Sequence, residues 1–80
     1  MRIFFSKTSL KYLSKLEKRL RSSIVEAIER LPEEGDIRKL RGKSQTALFR
    51  LRVGKFRVLY VREEDAIRVI DIDTRGDIYK

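Results

Sequence analysis

Apolar positions along the chain change their period once, from helical spacing in the first half to strand alternation from Ala47 onward. Ile3, Phe4 and Phe5 form a short run of strand character, closed by Ser6, a residue suited to cap a helix N-terminus. Leu10, Leu13 and Leu16, then Leu20, Ile24, Ala27 or Ile28, and Leu31 recur at the spacing of one helical face. Pro32 stops that stripe, and Glu33-Glu34-Gly35-Asp36 predicts a loop. A single helix from Thr8 to Leu31 would run ~36 Å. A compact domain of this length has a radius of gyration of only ~12 Å. The stripe therefore predicts two helices with a break around Glu17–Arg19, packed as a hairpin against a sheet.

Three strand-like segments follow, Ala47–Val53, Phe56–Arg62 and Ala66–Arg75, separated by Gly54-Lys55 and by Glu63-Glu64-Asp65. Glycine at the first position of a two-residue connection suits a type II′ hairpin. Counting outward from that turn sets Val53 opposite Phe56, Arg52 opposite Arg57, Leu51 opposite Val58, Arg50 opposite Leu59 and Phe49 opposite Tyr60. Side chains alternate between the faces of a sheet. Phe49, Leu51, Val53, Phe56, Val58 and Tyr60 are thus assigned to the helix-covered face, and Arg50, Arg52 and Arg57 to the other. The expected architecture is α+β, one domain over residues 1–80: an N-terminal strand, a helical hairpin, then a three-stranded antiparallel meander (β-α-α-β-β-β).

Charge sharpens the picture. From Arg38 to Arg57 the chain carries eight Lys or Arg and no Asp or Glu, while the whole protein has a net charge of +8. Such segregation is the footprint of a polyanion-binding surface. Arginines outnumber lysines twelve to eight, which favours bidentate phosphate contacts over a merely solvated face. The segment Lys39-Leu40-Arg41-Gly42-Lys43 is expected to be a loop projecting basic groups beside that face. The Arg52/Arg57 pair sets like charges directly opposite, which destabilises a sheet unless something compensates. Asp71 and Asp73 are expected to balance neighbouring arginines rather than to bind a metal.

Several functions are set aside by what the chain lacks. It contains no Cys and no His, so it has no thiolate site, no disulfide and neither the commonest metal ligand nor the commonest acid–base near neutral pH. No apolar run approaches the ~18 residues of a membrane span, and no signal-peptide pattern opens the chain, so a cytoplasmic protein is expected. Asn is absent, Gln occurs once and 40% of residues are charged, a composition that leans toward heat adaptation.

Three segments in order carry a resemblance: Lys39-Leu40-Arg41-Gly42, then Phe49 to Tyr60 (FRLRVGKFRVLY), then Thr74 to Tyr79 (TRGDIY). Together with the preceding helical hairpin they resemble the RelE/ParE toxin superfamily over essentially the whole chain. The resemblance implies the toxin of a toxin–antitoxin pair that cleaves mRNA on the ribosome, without a metal ion or other cofactor, by 2′-hydroxyl attack on the adjacent phosphate. Carried over by motif, the catalytic residues would be Arg50, Arg57, Arg75 and Tyr79. Lys39, Arg41, Lys43, Arg52 and Lys55 would contact mRNA and ribosomal RNA. Leu48 and Arg50 stand where some relatives carry two lysines, Thr74 where a His is frequent, and Gly76 where a second Arg is. The implied partner is a cognate antitoxin, acidic and partly disordered when free. Two alternatives stay open: a ParE-like inhibitor of DNA gyrase, and a catalytically weakened module that binds ribosomes or RNA.

Overall fold

The computed structural model describes residues 1–42 and 47–74. Among them the elements run β1 (Arg2–Phe5), α1 (Lys7–Ser14), α2 (Lys18–Glu29), β2 (Asp36–Arg41), β3 (Leu48–Val53), β4 (Phe56–Arg62) and β5 (Ala66–Asp73). The strands form one sheet in the order β1-β5-β4-β3-β2, and the Cα radius of gyration is 11.9 Å. The expected α+β class and the order of strand, helical hairpin and meander hold. Two features differ. β1 pairs parallel with β5, so the sheet is mixed, and the predicted basic loop supplies a further strand, since Lys39 and Arg41 belong to β2 at the opposite edge.

Local chemistry sets the helix ends. Ser6 sits in extended backbone and its hydroxyl accepts from Ser9 N–H at 3.0 Å, capping α1. Beyond Ser14 the chain tightens, with Lys15 N–H donating to the Tyr12 carbonyl and Leu16 N–H to that of Leu13. The break thus falls at residues 15–17, slightly ahead of the predicted place. The cap also sets the phase of α1. Ser9 and Leu13 face the sheet, whereas Leu10, expected in the stripe, is 53% exposed.

One layer of core lies between the helices and the sheet. Leu13, Ile24, Ile28 and Leu31 meet Leu51, Phe56, Val58, Tyr60, Ile67, Val69 and Ile72 there. Each such side chain contributes ~1.5–3 kcal/mol when fully buried. Gly35 lets the chain enter β2 beneath that layer: its φ is +134°, and a Cβ there would lie 2.6 Å from Leu51 Cδ1. Gly54 has φ +59° while Lys55 keeps a negative φ, as a type II′ turn requires. Every pair counted outward from that turn matches the observed register.

Candidate functional site

The helices cover one face of the sheet, and the other presents side chains in three cross-strand rows. The first row runs Asp36, Arg52, Arg57, Asp73 across β2, β3, β4 and β5. The like-charged central pair is flanked by an acid on each side, which supplies the compensation the sequence demanded. Arg57 Nε lies 3.4 Å from Asp73 Oδ1, with side chains 20% and 16% exposed. The second row runs Arg38, Arg50, Leu59, Asp71. Arg50 reaches diagonally to Asp36 Oδ1 at 3.5 Å and is itself only 14% exposed. The third runs Arg41, Leu48, Val61, Arg68, Phe4.

Arg50, Arg52, Arg57 and Arg41 therefore share this face, brought together by alternation and by the pinned hairpin register. Lys39 does not join them. It pairs with Phe49, which belongs to the helix-covered side. Lys55 lies at the turn with its ammonium 5.7 Å from the Phe56 ring centre, lining an apolar groove of about 470 Å³ with Leu20, Ile24 and Val53. Lys43, Arg75 and Tyr79 lie outside the described residues. Of the two balancing aspartates, Asp73 meets Arg57, while Asp71 accepts from the N–H of its own neighbour Ile72 at 2.9 Å.

Sequence reasoning missed Asp36 and Arg38. Asp36 falls in the predicted loop and Arg38 only in the basic stretch, yet Asp36-Ile37-Arg38 alternates out, in, out once Ile37 is set opposite the buried Leu51. That alternation was the available signal.

The arrangement holds partly desolvated guanidinium groups on a rigid surface. Arg50 Nε is buried and finds no acceptor among the described residues. A donor in that position is costly alone and gains most from an incoming oxyanion. Among the described residues no cluster of three or more carboxylates converges as a metal site. Behind the face, Tyr60 is buried and stacked on Phe49, ring centres 5.4 Å apart. Burial raises its pKa above the ordinary tyrosine value against the lowering effect of Arg62, so Tyr60 remains a neutral core residue.

Residues 3–79 match the family model described as the ParE toxin of the type II toxin–antitoxin system parDE. No curated protein matches the chain by sequence. Among solved structures it is similar to the archaeal RelE–RelB complex of Pyrococcus horikoshii OT3. That match has 29% identity and a TM-score of 0.80, and covers 94% of each chain. A RelB–RelE antitoxin–toxin complex from Methanococcus jannaschii matches at 28% identity and TM-score 0.71, covering 95% of this chain and 94% of that one. The fold also matches the YoeB dimer of Staphylococcus aureus, at 21% identity and TM-score 0.62 over 89% and 92% of the two chains. The chain belongs to the ParE toxin family of type II toxin–antitoxin systems, within the RelE/ParE toxin superfamily.

Proposed function

We propose that this toxin is a ribosome-dependent mRNA endoribonuclease. The observation that supports it most is the half-buried Arg50/Arg57 pair on an uncovered basic sheet face, held by Asp36 and Asp73. In the proposed reaction the 2′-oxygen bonds to the neighbouring phosphorus and gives up its proton. The bond from phosphorus to the 5′-oxygen breaks, and that oxygen takes up a proton. The products are a 2′,3′-cyclic phosphate and a 5′-hydroxyl.

Charge accumulates on the equatorial phosphate oxygens as the bond forms. Arg57, fixed in place before the reaction, stabilises it at no reorganisation cost. Arg50 adds a second contact and, being permanently protonated, acts by charge alone. By the resemblance, Arg75 joins Arg57 and Tyr79 takes or orients the 2′-hydroxyl proton. Arg41 and Arg52 extend the phosphate path, while Lys39, Lys43 and Lys55 are assigned to ribosomal RNA. A net charge of +8 suits an acidic cognate antitoxin, one that orders on this face as it covers the arginines. The complexes of similar chains with RelB support such a partner.

The ParE family match favours a second reading, inhibition of DNA gyrase through protein contact. One experiment separates the two. Purified toxin is added to translating ribosomes with mRNA breaks mapped, and in parallel to a gyrase supercoiling assay. Ribosome-dependent breaks that vanish in Tyr79→Phe support the nuclease. Blocked supercoiling with intact mRNA supports the gyrase reading.

A further inference from the structure

At the corner of the sheet diagonal to Arg57, an aromatic side chain points into solvent where an edge strand would ordinarily avoid one. Phe4 is 41% exposed on the uncovered face, and Ile70 beside it is also 41% exposed. Ile70 is displayed by a bulge: β4 residues Leu59 and Tyr60 pair with Asp71 and Val69, leaving Ile70 as the extra residue. Ser6 pins that bulge, its hydroxyl donating to the Ile70 carbonyl at 2.9 Å and its N–H to the Val69 carbonyl at 2.9 Å. The Arg68 guanidinium lies 4.9 Å from the centre of the Phe4 ring. Glu63 Oε2 accepts from Arg68 Nε at 2.8 Å, which fixes the orientation of the guanidinium. A recess of about 130 Å³ opens among Phe4, Arg68 and Ile70.

We propose that Phe4, Arg68 and Ile70 form a stacking platform for an unpaired RNA base, at the far end of the track that begins at Arg57. This rests on the reading of the arginine face as an RNA site. Shielding of Phe4 by an arginine stem would explain a contact between the two. It leaves unexplained why the shielding group is itself fixed by a carboxylate and why a pinned bulge sets a second apolar side chain beside it. Single-stranded RNA is bound by stacking bases on aromatic rings and on guanidinium planes while basic groups follow the phosphates. Phe4 and Arg57 lie two strands and four residues apart through Arg68 and Val61. With strand and residue spacings of ~4.8 and ~3.3 Å, that is roughly 16 Å. A single strand crossing the face diagonally therefore meets arginines at one end and the platform at the other.

The chain has no Trp, so Phe4→Trp places a lone tryptophan reporter in the platform. Titration with an unstructured single-stranded RNA should quench its fluorescence, and an abasic strand of equal length should bind without quenching. In the Trp-free background, Phe4→Leu should weaken that RNA about tenfold with an unchanged salt slope, the mark of lost stacking rather than lost charge. Arg68→Lys, which keeps charge but not the plane, should weaken it less. Equal quenching by the abasic strand or by polyglutamate overturns the platform, as does wild-type affinity in Phe4→Leu with its melting temperature unchanged. Failure of the free protein to bind RNA at low salt overturns it as well. Cleavage on the ribosome is scored separately, so the arginine site can survive the loss of the platform.

Discussion

The two faces of the β3–β4 hairpin come from the same thirteen or so residues and obey opposite rules. Leu51, Phe56, Val58 and Tyr60 face the helices and are at most 5% exposed. Arg50, Arg52 and Arg57, interleaved with them, face outward and are ordered by a row of charges instead of a second layer. The inner face supplies most of the stability of a small domain. The outer face holds a concentration of like charge that the fold tolerates because Asp36 and Asp73 bracket it. Conserving free energy on one side leaves the other available for an anion.

Substitutions should divide along that line. The largest loss of stability is expected from Leu51→Ala, which empties a site 1% exposed and costs ~2–5 kcal/mol by denaturant unfolding. Gly35→Ala should follow at about 1–3 kcal/mol, because its Cβ would press on the same Leu51 and its backbone is strained for any other residue. On the outer face Asp73→Asn should cost only about 0.5–1 kcal/mol, since it leaves the Arg52/Arg57 pair without one flanking acid. The same change should tighten RNA binding and steepen its salt dependence. Stability and affinity moving in opposite directions would mark the row as a functional compromise. A parallel fall in both would break the comparison.

The smallest effect is a matter of pH. Tyr60 has a raised pKa in the folded state through burial, so the unfolded chain loses its phenolic proton first. Its contribution is fully present below the unfolded value of ~10 and declines as pH rises above it. Tyr60→Phe should flatten that alkaline decline of the melting temperature without altering the neutral-pH arginine face. An unchanged decline would place the alkaline sensitivity elsewhere.

The hairpin was legible in the sequence because one glycine turn pinned its register and strict alternation carried the rest. Arg50, Arg52 and Arg57 could therefore be assigned to one face from residue order alone. β2 was hidden because an edge strand of mostly charged residues, DIRKLR, lacks the apolar alternation that marks a strand. With it went Asp36, the acid that balances Arg50 and Arg52. The place of β1 depends on its parallel pairing with β5, the last strand and far along the chain, which no local pattern encodes. Leu10 misled because the Ser6 cap, not the leucine spacing, sets the rotation of α1. The apolar run Ile3-Phe4-Phe5 was legible as a strand, but three apolar residues in a row do not tell which face each takes, and the middle one points outward.

The most direct test removes one arginine from the outer face and reads both properties together. Arg57→Ala should stay folded and melt about 4–8 °C below the wild type, as a loss of about 1 kcal/mol implies for a domain of this size. On translating ribosomes it should cut mRNA at least ~100-fold more slowly, the loss expected when a preorganised charge is taken from a phosphoryl transition state. Undiminished cutting by a folded Arg57→Ala protein would contradict the division between a structural and a chemical face.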